Sequence, residues 1–332
     1  MCALDWHRDS YETIQAYRRA EIPFVLQNHP TVMATTERWN TPLTSSTDQT
    51  KTEPYLVELL RNEPPQRNEY AKQSNHMPFW RILNPDEVDP HFVPPTQNVA
   101  LTLPEWWQHA QHLEEALAHN QTTVTTSDHY YFRLAATLTH GPEPVHAFLY
   151  DELPMFHPSY HENDEKGDLD QEEDASTTTT HHHDPLFMVD PSQERGINCR
   201  FGMVGNVADN HFDPTRNWIV VLGGRRRYIL SPPSQCRHLN LHPLGHVSAR
   251  HSADDWSQTS TSKAAQDHLQ HAQALQILLQ PGDALYLPTS WFHFIVSLTT
   301  SFQCNARSGS TQTRGSKLQA IFEECGFPNL YV

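Results

Sequence analysis

His211 and Asp213, two residues apart in His-Phe-Asp, acquire chemical meaning only if the backbone there is extended, because residues i and i+2 of a strand project from one face. An imidazole and a carboxylate on one face offer two metal ligands. A second histidine from a distant strand completes a two-histidine, one-carboxylate set that leaves three coordination positions open and suits non-haem Fe(II) chemistry. The pair alone carries little weight, since His7-Arg-Asp9, His112-Leu-Glu114 and His182-His-Asp184 repeat the pattern. The candidate for the second histidine is His293, at the end of Pro281-Gly-Asp-Ala-Leu-Tyr-Leu-Pro-Thr-Ser-Trp-Phe-His. It opens an apolar run beside Trp291, Phe292, Phe294 and Ile295, where a buried ring needs partners for its nitrogens. A metal ion and a hydrogen-bonded core meet that need equally well.

Between these two segments lies Gly223-Gly-Arg-Arg-Arg-Tyr-Ile-Leu. On an extended strand Arg226, Tyr228 and Leu230 share one face, and Arg225 and Arg227 share the other. Arg226 is the inward candidate. Its guanidinium stays charged and can grip a carboxylate through two parallel hydrogen bonds. Arg225 and Arg227 read as surface charges.

The elements that must position these residues are legible as short apolar runs with turn signals after Asp190: 199–204, 218–222, 226–230, 284–288, 293–298 and 302–305. Many short strands at such spacing predict a sandwich or barrel. The stretch 264–279 has helix-forming composition, but its last residues read equally as a strand. Upstream, 9–20 predicts a helix with Asp9 and Glu12 in capping-box spacing, and 22–27 a strand. The polar, proline-punctuated stretch from Thr41 to about Gln97 predicts irregular connections. Thr102 and Glu105 form a second capping box, opening a helix whose Trp106, Ala110, Leu113 and Leu117 share a face that reads as core. Tyr130 to Ala136 predicts a strand. Pro158 to Asp184, with its acidic run, threonines and His181-His-His183, reads as a disordered insertion, and Gly315 to Glu324 as a short C-terminal helix.

The chain of 332 residues, 37% hydrophobic, is long enough for one large core. Its formal charge of −16 argues against nucleic-acid binding; eight acids and one lysine between Glu162 and Asp174 supply much of that excess. Five widely spaced cysteines without Cys-x-x-Cys predict reduced thiols rather than a disulfide scaffold or zinc finger. No apolar run approaches a membrane span. A cytoplasmic or nuclear protein is the resulting expectation.

The ordered combination of Gly202-Met-Val-Gly-Asn-Val-Ala-Asp-Asn-His-Phe-Asp with Asn217, then Gly-Gly-Arg-Arg-Arg-Tyr-Ile-Leu-Ser-Pro-Pro, then Pro-Gly-Asp-Ala-Leu-Tyr-Leu-Pro-x2-Trp-Phe-His, resembles the JmjC family in its small, cupin-like hydroxylase branch. The similarity runs from about Tyr130 to Gly309. It implies a mainly β fold with flanking helices (α+β), a double-stranded β-helix of jelly-roll, cupin-like type over 127–310, with 1–126 packed on the barrel and 311–332 as helix and tail. It implies Fe(II), 2-oxoglutarate and O2, with His211, Asp213 and His293 as catalytic metal ligands. Asn217, Asn305, Tyr131 and Arg226 are then the cosubstrate residues. The chain departs from the pattern twice: Arg226 stands where a lysine is usual, and Ala208 where a threonine is frequent. The activity implied is hydroxylation of a protein or peptide side chain, yielding succinate and CO2, by a monomer or weak homodimer. A histone lysine demethylase, an RNA hydroxylase and a non-catalytic binding or scaffold protein are the other readings. A cupin isomerase or dioxygenase working without 2-oxoglutarate is a further alternative.

Overall fold

The computed structural model describes residues 1–44, 50, 52–82, 91–136, 146–157, 194–257, 269–309 and 315–328. The insertion read at 158–184 and the start of the 264–279 stretch lie outside these residues.

Strands β1 (Cys2–Asp5) and β2 (Phe24–Gln27) flank helix α1 (Tyr11–Arg19). Then come α2 (Pro30–Asn40), β3 (Pro42–Thr44), β4 (Thr52–Pro54), α3 (Tyr55–Leu59), β5 (Gln66–Ala71), β6 (Gln97–Leu101), α4 (Leu103–Ala118), β7 (His129–Ala136) and α5 (Phe148–Glu152). The barrel strands are β8 (Glu194–Gly202), β9 (Val207–Phe212), β10 (Arg216–Gly223), β11 (Arg226–Ser231), β12 (Leu275–Leu279), β13 (Ala284–Leu287), β14 (Phe292–Ser297) and β15 (Ser301–Ser308), followed by helix α6 (Gly315–Glu324).

Two sheets take thirteen of these strands, while β3 and β4 pair only with each other. A nine-stranded sheet runs β1-β2-β13-β10-β15-β8-β7-β5-β6, and a four-stranded sheet runs β12-β11-β14-β9. From β8 to β15 the chain passes back and forth between them, with β11 and β12 paired within the small sheet, which is the winding of a double-stranded β-helix, as expected. The inner faces meet in a core of Ile219, Val221, Leu285 and Leu287 from the large sheet and Tyr228, Leu230, Ile295 and Leu279 from the small one. The outer face of the large sheet carries Cys199, Phe201, Trp218 and Phe302, covered by α2 and α4. Strand alternation thus sorts β8 into Asn198, Arg200 and Gly202 inside and Cys199 and Phe201 outside.

Helix α4 follows its capping signals. Thr102 and Glu105 exchange hydrogen bonds, and Leu103, Trp106, Ala110 and Leu113 are buried, with Leu117 partly buried against the same core. Elsewhere the sequence expectations need correction. The N-cap of α1 is Ser10, whose side chain accepts from the Thr13 N–H; Asp9 instead accepts from the Asp5 N–H at 2.7 Å. The polar stretch after Thr41 supplies β5, which pairs β7 and extends the large sheet, so tertiary pairing overrides its low apolar content. The end of the 264–279 stretch is a strand, β12, paired with β11. Four cysteines are paired, Cys199 with Cys304 and Cys236 with Cys325, and Cys2 is free. Wide sequence separation concealed this, because β8 and β15 place Cys199 directly opposite Cys304. No described helix is long and apolar enough to cross a membrane.

Candidate metal centre and cosubstrate cavity

The two histidines lie on paired positions of adjacent antiparallel strands, His211 near the end of β9 and His293 near the start of β14. Asp213 follows β9 directly. One ligand atom from each of the three residues lies within 4.8 Å of the other two. His211 Nδ1 meets the Asp209 carbonyl at 2.7 Å, and His293 Nδ1 meets the Trp291 carbonyl at 3.0 Å. A carbonyl only accepts, so each Nδ1 carries the proton and each Nε2 keeps its lone pair. This is the tautomer a metal requires, fixed by an outer hydrogen bond.

The carboxylate is oriented in the same way. Asp213 Oδ2 accepts from Arg307 at 2.6 Å and from Asn217 Nδ2 at 3.2 Å. Asn217 in turn accepts from Asn305 Nδ2 at 2.7 Å. The two asparagines therefore form a chain ending on a candidate ligand, and among the described residues Oδ1 faces the Arg250 guanidinium, 3.8 Å away. Burial alone pushes the Asp213 carboxyl up, but Arg307 and its other neighbours outweigh burial and hold it well below the usual carboxylate range. Burial pushes His211 and His293 down, His211 further because His293 and His251 crowd it. The set is thus deprotonated and ready for a cation at neutral pH. His251 stacks on His211, with centroids 4.9 Å apart.

A cavity of about 150 Å³ opens onto this set. Tyr131, Asn217 and Asn305 line it, as does Ala208. Strict alternation would put Ala208 and His211 on opposite faces. A bulge prevents that: three steps from Ala208 to His211 oppose two from Ile295 to His293, so β9 carries one extra residue and turns both inward. His76 braces this bulge, its Nδ1 2.7 Å from an Asp209 carboxylate oxygen and its Nε2 3.6 Å from Asp255.

Arg226 is inside the barrel and fully buried, Arg225 is exposed, and Arg227 is half-buried with its guanidinium on Gln276. Yet Arg226 does not line the cavity. Its Nε donates to Ser301 Oγ at 3.0 Å, and its Nη2 to the carbonyls of Arg200 at 2.8 Å and Ser301 at 3.3 Å. It bridges the two sheets above Gly202. A Cβ at 202 would lie 2.3 Å from Ser297 Oγ and 3.3 Å from Arg226 Nη2. Gly202→Ala is therefore expected to destabilise the protein by about 1–3 kcal/mol through overpacking, read as a lower denaturant midpoint with unchanged slope; a neutral result would mean the bridge yields without cost.

Sequence reading missed Arg133, Arg200, Arg250, Arg307 and Gln303, all of which line the cavity. The available signal was parity: Gln303 and Arg307 alternate with Cys304 and Ala306 on the face of Asn305.

Buried histidines also fix a pH dependence. Burial depresses His29 and His251 to about 4 and lowers His129. A depressed folded pKa means that the unfolded chain binds more protons below its own value, so this stability is present above about pH 6.5 and is lost as pH falls toward 4. His76, raised by its hydrogen bond to Asp209, opposes the trend but is one residue against several. The metal-free protein is expected to melt lower at about pH 5 than at about pH 7.5, and His29→Gln to flatten the difference. Equal melting temperatures would contradict this.

A family model described as a cupin-like domain matches residues 10–308. Over shorter stretches the chain is similar to Jumonji C domain-containing protein 5 of Drosophila melanogaster, 32% identical over 112 residues, or 32% of this chain and 26% of that protein. Lysine-specific demethylase JMJ31 of Arabidopsis thaliana is 30% identical over 113 residues, 34% and 20% of the two chains. Lysine-specific demethylase 8 of Xenopus tropicalis is 27% identical over 106 residues, 32% and 23%. The matched stretches span about a quarter or less of each relative's length.

Proposed function

Since the chain belongs to the cupin-like domain family, with relatives among the JmjC proteins, we propose that it is an Fe(II)- and 2-oxoglutarate-dependent oxygenase that hydroxylates a protein side chain. The observation carrying this reading is the His211, Asp213, His293 cluster, with both Nδ1 atoms tied to backbone carbonyls beside an open cavity. Bound iron, with 2-oxoglutarate and O2, supplies the oxidising chemistry and leaves succinate, CO2 and a hydroxylated product. The protein's share is orientation: His211, Asp213 and His293 hold the ion, Asn305 and Asn217 steady Asp213, and Tyr131 offers a hydroxyl to the cosubstrate. Met77, Phe79 and Ile295 exclude water from the same cavity.

Two of the relatives described above are named lysine demethylases, and removal of a methyl group from nitrogen also begins with hydroxylation. The cavity favours hydroxylation of a neutral or acidic side chain instead. Four arginines line it against two aspartates, a field that repels a methylated ammonium.

The test is succinate formation by the iron-loaded protein with 2-oxoglutarate and O2, compared with His211→Ala, and mass spectrometry of proteins exposed to each. Gain of one oxygen on a protein with the wild type alone supports the reading. Loss of a methyl group with formaldehyde release would establish demethylation, and metal binding without turnover on any substrate would indicate a binding protein. Turnover without 2-oxoglutarate would replace the cosubstrate.

A further inference from the structure

The cavity holds more positive charge than its visible partners neutralise. Arg133 is paired with Glu69 at 2.6 Å, and Arg307 with Asp213 at 2.6 Å. Arg250 faces Asp213 at 3.8 Å and the Phe212 carbonyl at 3.4 Å. Arg200 differs. Its hydrogen bonds are to the carbonyl of Cys199 at 3.2 Å and to Asn198 Oδ1 at 3.5 Å, both long and neutral, and no described carboxylate lies within ion-pair distance. Burial, with Arg133 and Arg307 nearby, pulls its guanidinium down to about 9. A half-buried cation with no counter-charge among the described residues is costly to maintain, and an anion entering the cavity relieves that cost.

Its neighbours are arranged as donors. Gln303 sits directly opposite Arg200 across the β8–β15 pair and lines the cavity. The Gln303 Oε1 is occupied by the Tyr228 hydroxyl at 2.5 Å, which turns its amide nitrogen into the free end. Tyr131 also lines the cavity, and its hydroxyl has no hydrogen-bond partner among the described residues. Arg226, by contrast, spends its guanidinium on Ser301 and on the Arg200 carbonyl.

We propose that Arg200, flanked by Gln303 and Tyr131, binds the distal carboxylate of 2-oxoglutarate, and that Arg226 is a positioning residue that holds the Arg200 backbone from behind. The inference rests on the cosubstrate reading given above. The chain thereby replaces the usual strand lysine with two arginines of divided roles. Arg226 bridges the sheets where the lysine would stand, and Arg200 supplies the charge that faces the cavity from β8.

Calorimetric titration of the Mn(II)-loaded protein with 2-oxoglutarate and with 2-oxopentanoate, which lacks only the distal carboxylate, tests this without turnover. Wild type is expected to prefer 2-oxoglutarate by about 30-fold or more, the loss typical of removing one partner from a buried charged pair. Arg200→Met is expected to bind both ligands equally weakly while keeping wild-type Mn(II) affinity. Arg226→Met, or Arg226→Lys if the methionine variant does not fold, is expected to narrow the preference without abolishing it. An Arg200→Met protein that still prefers 2-oxoglutarate overturns the inference and leaves the cosubstrate reading intact. Preference lost only in the Arg226 variants also overturns it. Wild type that binds Mn(II) but not 2-oxoglutarate overturns both.

Discussion

Alanine at Asp213 is expected to abolish 2-oxoglutarate turnover, to below about a thousandth of wild type, and also to destabilise the metal-free protein. Alanine at His293 is expected to abolish turnover alone. Each substitution removes one of three ligand atoms, and even loss of an outer partner typically costs 10–100-fold in metal affinity. The two part company in what they leave behind. His293 has one backbone hydrogen bond and faces an existing cavity, so water can fill the vacated space. Asp213 is the counter-charge of Arg307 and faces Arg250, and it anchors Asn217. Its removal leaves a guanidinium at 2.6 Å without its partner. Arg307 is one-third exposed, which softens the penalty to about 1–3 kcal/mol rather than the 3–5 of a fully buried pair. Mn(II) titration and denaturant unfolding of both variants measure the contrast. An Asp213→Ala protein as stable as His293→Ala would show that the pair contributes nothing net.

Trp106→Ala is expected to cost about 3–5 kcal/mol, among the largest penalties available to one substitution in this chain. Trp106 is fully buried, edge-on to Phe201 at 5.8 Å and beside Phe132 at 6.3 Å, and its Nε1 donates to the Tyr130 carbonyl at 3.1 Å. Alanine removes the ring and also orphans that carbonyl. Trp106→Phe keeps most of the packing and loses only the hydrogen bond, about 1 kcal/mol. Tyr130 directly precedes Tyr131, so the alanine variant is also expected to weaken cosubstrate binding. Unfolding midpoints for the pair of variants separate packing from hydrogen bonding; equal losses would assign the whole effect to the Nε1–H bond.

Residues on regular strands were the ones legible in advance. Alternation sufficed to turn Arg226 inward and Arg225 outward, and a capping box sufficed for α4. Two kinds of feature escaped. Arg200 and Arg307 were overlooked because a charged residue in a strand reads as surface, and only the sheet's curvature around a polar cavity makes the inner face hydrophilic. The cysteine pairs and the β5–β7 pairing depend on which distant strands become neighbours, information that no local window contains. Inward direction also did not reveal what Arg226 would touch. That depended on Gly202 and Ser301 from two other strands.

The extra residue in β9 loosens the tie between chain length and facing at this centre. Ala208 and His211 face the same way only because Asp209 and Asn210 together oppose Phe294. Deleting one of the two would leave two steps opposite two, and plain alternation would then keep both side chains turned inward without a bulge. A related chain one residue shorter between 208 and 211 can therefore present the same ligands to the cavity, so a gap there does not by itself signal a lost centre.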